Sequence, residues 1–371
     1  MNGYTGDMHI GIDARLTYYR YGGISTYIRR LIEALEILDA DSRYTVFHSR
    51  RARQPLVKRF CRANLWTPSH HRLERIALSV ELARFNLDLL HSPDFIPPLR
   101  GARRHVITVH DLTFLHYPQF LTPESRRYYN GHIRQAVRQA DHILADSEAT
   151  KRDIVNMLDV PAGKITVHLL GVDESFRRLP PAALEPCRRE LDLPEHFILF
   201  VGTFEPRKNI RGLLEAYRQL VARLPDAPPL VLAGQRGWLF EETMAYIESL
   251  RLGNRVIWRE NIPQSSLPFL YNMACLLVMP SFYEGFGFPP LEAMACGTVP
   301  VVSSRSSLPE VVGDVGLQVN PDDPSAIADA VEYALTHPDW RAKMRQAGLE
   351  RTATFTWTRT AETVLSVYHS L

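Results

Sequence analysis

Apolar and polar positions along the chain switch between a period of two and a period near 3.6, and the switching runs through the sequence twice. Residues 9–13 read as a short strand. Ile24, Ile28, Leu31, Ile32 and Leu35 then fall at helical spacing and predict a helix over 25–38 with Ser25 as its N-cap. Residues 44–48 form a second strand, followed by a poorly patterned loop or short helix and a helix over 72–84. Strands over 87–91 and 104–109 end in Ser92-Pro93-Asp94 and His110-Asp111. A helix over 124–139, a strand over 141–146, a helix over 148–157 capped by Ser147 and a strand over 164–168 close the first series.

Gly171-Val172-Asp173 and the proline-rich run 180–186 read as a link, after which the pattern restarts. Strands are expected at 197–201, 230–233, 255–258, 274–279, 299–302 and 316–319. Helices are expected at 210–224, 241–250, 267–272, 324–335, 340–347 and 357–368. With 371 residues the chain exceeds one ordinary core. Strands alternating with helices on both sides of a proline-rich joint predict an α/β protein of two doubly wound, Rossmann-like domains, with a substrate cleft expected between them.

The second series holds the most informative stretch. An apolar strand leads through Pro280, Glu284, Gly285, Phe286, Gly287 and Phe288 into a helix opened by Pro289 and Pro290. This places Glu284 at the carboxyl edge of a strand, where open α/β sheets bind ligands, and Glu292 in the first turn of the next helix. Unpaired N–H groups at such a helix start suit anions. Two carboxylates beside an anion site suit a hydroxyl-rich ligand, because an ionised carboxylate only accepts and a sugar is dense in donors. Gly202 to Asn209 is the second strong feature. Arg207 and Lys208 lie in a loop between a strand and a helix, which suits a diphosphate. Gly22-Gly23, ahead of the first long helix, lets the backbone approach a ligand closely. His110, beside Asp111 at a strand end, is placed to steer a hydroxyl or share a developing proton, and His91 has similar placement. His116, His132 and His168 show no convergent metal spacing and read as structural or surface groups, so no metal site is expected.

Composition narrows the classes. With 45% hydrophobic and 23% charged residues the chain is ordinary for a globular protein. Cys61, Cys187, Cys275 and Cys296 lack metal or redox spacing and suit a reducing compartment. No signal peptide or long apolar run is read, so a cytoplasmic protein is expected. The net charge of +2 hides an asymmetry: residues 1–180 carry 26 Lys and Arg against 19 Asp and Glu, and residues 181–371 carry 17 against 22. The basic excess, sharpest at Arg50-Arg51 and Lys58-Arg59, fits solvated surface, an anionic substrate or an anionic membrane face. No nucleic-acid motif accompanies it. P-loop and dinucleotide fingerprints are both missing.

Taken together, these residues resemble the retaining glycosyltransferases of family 4, which have the GT-B fold, over nearly the full length of the chain. Glu284 and Glu292 match that family's E-x7-E signature. Gly22-Gly23, His110-Asp111, Ser147-Glu148-Ala149-Thr150 and the segment from Gly202 to Asn209 support the match. The resemblance implies an acceptor-side domain over 1–180, a nucleotide-sugar-binding domain over 181–353, and a C-terminal helix over 354–371 packing back on the first. It also implies that Arg207 and Lys208 hold the donor diphosphate, Glu284 the sugar hydroxyls and Glu292 the ribose. Gly23 would lie against the phosphates, His110 would face the reacting sugar, and Gly287 and Phe288 would offer backbone amides. Asn261 and Ile262 fall where relatives touch the base, although Glu260 replaces the usual small residue.

The implied reaction is hexose transfer from a nucleotide diphosphate sugar to a hydroxyl, with retained configuration and no tightly bound cofactor. GDP-mannose is the first choice of donor, from similarity to bacterial mannosyltransferases of O-antigen and other surface polysaccharides. UDP-glucose or UDP-N-acetylglucosamine is the alternative. The expected acceptor is a lipid-linked or oligosaccharide chain, with possible peripheral contact at an anionic inner membrane and no nucleic acid partner. Sugar-nucleotide 2-epimerases share the two-domain fold and form one rival class; a non-catalytic sugar-nucleotide-binding scaffold forms another.

Overall fold

Two parallel sheets account for all thirteen strands in the computed structural model, which describes residues 8–19, 22–71, 73–237 and 240–371. The chain divides into two units: residues up to Gly171 together with Thr356–Leu371, and Val172–Phe355. The paired Rossmann-like architecture expected of the GT-B fold is therefore present.

In the first unit the strands are β1 (His9–Asp13), β2 (Arg43–Ser49), β3 (Cys61–Leu65), β4 (Leu87–Ser92), β5 (Ala102–Val109), β6 (His142–Ala145) and β7 (Ile165–Val167). They pair in the order β3-β2-β1-β4-β5-β6-β7. Apolar runs such as Leu89-Leu90 and Val106-Ile107 are fully buried, as a sheet covered on both faces requires. β3 replaces the expected loop or short helix: an edge strand needs a partner on one side only, so its sequence, Cys-Arg-Ala-Asn-Leu, is a short alternation of mostly small apolar residues with polar ones and not an apolar run. The first long helix spans Gly23–Leu38 and is capped by Gly22, not Ser25, which lies buried inside it. Of the helix expected over 72–84, Glu74–Leu82 is α-helical, and Arg72 lies outside the described residues.

The helix Trp357–His369 packs on the helix Gly23–Leu38 within this same unit, burying Ala361, Val364, Val367 and Tyr368. A buried chain of hydrogen bonds fixes its register. Tyr368 OH lies 2.6 Å from His91 Nδ1, and His91 Nε2 lies 2.8 Å from Thr108 Oγ1. Thr108 Oγ1 is 3.1 Å from Tyr27 OH, which is 2.9 Å from His168 Nε2. His168 Nδ1 faces the Ala145 carbonyl, an acceptor only, at 3.0 Å. That end sets the direction: His168 donates there, Tyr27 donates to His168, Thr108 to Tyr27, His91 to Thr108, and Tyr368 to His91. Burial lowers the pKa of both histidines, so both are neutral, as this arrangement demands. His91 is thus a structural group, contrary to its expected site role.

In the second unit β8 (Phe197–Val201), β9 (Leu230–Ala233), β10 (Val256–Arg259), β11 (Ala274–Met279), β12 (Val299–Ser303) and β13 (Leu317–Val319) pair in the order β10-β9-β8-β11-β12-β13. The proline-rich run is not a link but a helix, Pro181–Glu190. Pro181 sits in its first turn, where no N–H is needed. The helix expected over 340–347 is longer, Pro338–Thr352.

Candidate functional site

In the second unit the strand order reverses between β8 and β11. Such a reversal, at the carboxyl ends of the strands, is where open α/β sheets place their ligands. Gly202 begins the first loop, its N–H bonded to the Ala233 carbonyl at 3.0 Å. The loop tightens into a 3-10 turn, Pro206–Lys208, before the helix Ile210–Arg223. Asn209 caps that helix at φ +54 by accepting from the Gly212 N–H. Its amide also donates to the Pro280 and Pro321 carbonyls at 3.1 and 2.7 Å, and Phe282 N–H donates to the Arg207 carbonyl at 2.8 Å. These bonds tie the two loops together.

The result is a four-membered ionic cluster. Glu284 Oε2 accepts from Arg207 at 2.8 Å and Oε1 from the Lys208 ammonium at 2.7 Å. Arg207 also donates through Nε to Glu205 at 2.8 Å. Glu284 and Lys208 are only 6% and 7% exposed. Burial opposes the Glu284 charge, but Lys208 and then Arg207 outweigh it and hold the carboxyl down at about 2. Burial and the neighbouring Arg207 depress the Lys208 ammonium, with Glu284 opposing. Two residues unremarked in the sequence brace this loop. Ser306 Oγ accepts from the Glu284 N–H at 2.9 Å, and Ser307 Oγ lies 2.9 and 2.7 Å from the Glu284 and Phe286 carbonyls.

Beyond Gly285, Phe286 turns into the core, 4% exposed, against Phe288 and Phe355. Gly287 caps the helix Phe288–Ala295 at φ +113, and a Cβ there would lie 2.8 Å from Leu308 Cδ2, so glycine is required. Glu292 is the fifth residue of this helix and not in its first turn, because the helix already begins at Phe288. Tyr271 OH donates to Glu292 Oε2 at 2.7 Å, yet burial prevails and pushes that carboxyl up to about 7. Asn261 and Ile262 follow β10, two strands from β8 along the same edge. Asn261 is exposed at φ +57, whereas the Ile262 side chain packs against the core. Glu260 is held by Arg236 at 3.0 Å.

In the first unit His110 is the first residue beyond β5, and Asp146 the first beyond β6. The pairing of Val109 with Ala145 sets them side by side. His110 Nδ1 lies 2.7 Å from Asp146 Oδ2, and Nε2 lies 2.8 Å from the Pro93 carbonyl. Both partners are acceptors, so both ring nitrogens carry protons and the ring is a cation. Burial resists this, but Asp146 overrides it and raises His110 to about 9. Asp146 was missed in the sequence; its signal was its position past a strand adjacent to that of His110. Gly22 and Gly23 are exposed at the start of the helix Gly23–Leu38, with Gly22 at φ +150. Among the described residues no three His, Cys, Asp or Glu converge as a metal site.

Residues 187–351 match the family model described as Glycosyl transferases group 1, and residues 21–176 match that of Glycosyltransferase Family 4. O-antigen chain mannosyltransferase B of Escherichia coli is 34% identical over 284 residues, 76% of this chain and 74% of that protein. The serotype-specific mannosyltransferase WbdA of Escherichia coli is 32% identical over 72% of this chain, which spans only 33% of that relative's length. The structure of Anabaena Alr3699/HepE in complex with UDP and glucose shares the fold at a TM-score of 0.76 and 17% identity, covering 98% of this chain and 100% of that one. The chain belongs to glycosyltransferase family 4: it is a nucleotide-sugar-dependent enzyme of the GT-B fold that transfers a hexose to an acceptor, related to the bacterial O-antigen mannosyltransferases.

Proposed function

We propose that the donor is a nucleoside diphosphate hexose whose diphosphate lies on Arg207 and Lys208. The observation that carries this reading is the sharing of one buried carboxylate, Glu284, by both cations at the switch point of the sheet. As the glycosidic bond breaks, negative charge grows on the diphosphate, and Arg207 and Lys208 stabilise it most when it is fully developed. Glu284, released from part of this pairing, accepts from hydroxyls of the hexose. Glu292 accepts from the ribose, and the turn Gly285–Phe288 contributes backbone amides. His110 acts as a fixed cation rather than a proton acceptor, since both its nitrogens donate.

Mannose is favoured as the hexose by the names of the E. coli relatives, while the UDP and glucose bound in HepE favour a UDP-hexose. A panel of GDP- and UDP-hexoses, read by calorimetric binding and by slow donor hydrolysis, separates the two. Binding of none of them would refute the transfer reading. We also propose that the acceptor is lipid-linked and met at an anionic bilayer. Leu73, Ile76 and Val80 are exposed at helical spacing, and Trp66 stands exposed with the Arg50 guanidinium 3.9 Å over its ring. Co-sedimentation with phosphatidylglycerol vesicles that neither salt nor phosphatidylcholine replacement weakens would refute that part.

A further inference from the structure

The first sheet has its own reversal, between β1 and β4, and a small recess opens at the carboxyl edge there. Its cavity volume is about 20 Å³, room for a single hydroxyl or water. Asp13, Ser69, His70, Glu74, Ser92 and Asp94 contribute its polar lining. Arg15, 1% exposed, spans the first of these acids, donating to Asp13 and Glu74 at 2.7 Å each. His70 adopts φ +62, donates its N–H to Glu74 at 2.6 Å and sets its Nε2 2.8 Å from Asp94 Oδ2.

Two features point to a ligand. Ser92 is 3% exposed, and its Oγ has no hydrogen-bond partner, which is uncommon for a buried hydroxyl. Asp94 receives one bond on each oxygen, from His70 and from the Phe95 N–H, and so keeps about half of its acceptor capacity. A hydroxyl group entering the recess donates to Asp94 and pairs with Ser92 at once. An anion is disfavoured, because three carboxylates face the recess against one arginine.

We propose that this recess is a saccharide subsite, which takes one hydroxyl of a neutral sugar ring and rejects anionic sugars. The inference rests on the transfer reading above and assigns that sugar to the acceptor. It makes Asp94 and Ser92 specificity-determining residues of the first unit.

Saturation-transfer NMR tests this on the full chain, with GDP and UDP both saturating. The probes are the methyl α-glycosides of mannose, glucose and galactose, alongside mannose 6-phosphate. At least one neutral glycoside is expected to give signal, and mannose 6-phosphate none. Ser92→Ala should cut the signal at least threefold while leaving the melting midpoint unchanged or higher, because it deletes an unpaired hydroxyl. Asp94→Asn should abolish the signal with nucleotide binding kept within twofold. The proposal is overturned if no neutral glycoside binds, if the nucleotides displace it, or if the signal survives in Ser92→Ala. It is equally overturned if Ser92→Ala melts lower, which would mark the hydroxyl as part of the fold. Nucleotide titration of the same samples reads the donor site separately: failure there refutes the transfer reading, and the glycoside signal still decides the recess.

Discussion

Glu284→Ala separates a stabilising role from a catalytic one, because an added diphosphate can restore the first and not the second. The carboxylate receives charged hydrogen bonds at 2.8 and 2.7 Å from two cations, one of them 7% exposed. Each such bond contributes about 1.5–3 kcal/mol. Breaking a buried ion pair by removing one partner costs about 3–5 kcal/mol, because the other charge is left uncompensated. The two figures agree. For a domain of about 150–250 residues each kcal/mol shifts the melting midpoint by roughly 2–4 °C, so the second unit of the variant should melt about 6–20 °C lower. Inorganic pyrophosphate then replaces the missing anion without involving base or sugar. It should raise the variant's midpoint more than the wild type's, since in the wild type it must displace Glu284. Donor hydrolysis should meanwhile fall by about 10² or more, since the hexose loses its acceptor. Calorimetric scans with and without pyrophosphate measure the two shifts in midpoint, and release of free hexose from the donor measures the hydrolysis. A variant that melts within about 2 °C of wild type, or gains no more from pyrophosphate than wild type does, refutes the reasoning.

Three further outcomes follow from the other charged groups. The His110 pKa is raised to about 9, so the stability from its pairing with Asp146 is complete below about pH 6.5 and is lost as pH rises through 9. Asp146→Asn should therefore destabilise by on the order of 3 kcal/mol at pH 6 and by little at pH 9.5, as read by urea denaturation at the two values. Glu292 is raised to about 7, so its burial favours the fold at low pH and this contribution declines as pH rises from about 4.5 through 7. Glu292→Gln should gain stability relative to wild type at pH 8 but not at pH 4, and should remove the tightening of nucleotide binding between pH 6 and 8 that exceeds the phosphate's own titration. Tyr368→Phe strips the donor from His91 Nδ1 in a fully buried site, and the first unit should lose about 1–3 kcal/mol; an unchanged denaturation midpoint would show that this hydrogen bond does not hold the last helix in place.

Much of the framework was legible because buried parallel strands announce themselves as apolar runs. Phe197–Val201 and Ala274–Met279 were placed correctly from this signal alone. β3 was not, because an edge strand with one side facing solvent needs no such run. The start at Gly22 escaped because Ser25, a good cap by composition, is buried inside the helix. Glu284, Arg207 and Lys208 could be singled out as candidates since each lies in a loop that follows a strand. Their mutual pairing was not, because residues 76 and 77 positions apart meet only through sheet order. Asp146 and Ser306 were invisible for the same reason: what matters is a neighbour across the sheet edge.

The return of the chain to its first unit at Thr356 also bears on how the protein is made. Val172–Phe355 is contiguous and can close its sheet as soon as it clears the ribosome. The first unit, although begun earlier, lacks Tyr368 until every residue of the second has been synthesised. Until then His91 Nδ1 has no donor and the apolar face of the helix Gly23–Leu38 is uncovered. The half translated first is thus the half that finishes folding last. An interruption of synthesis between Thr356 and Tyr368 leaves the second unit whole and the first unit open along that face.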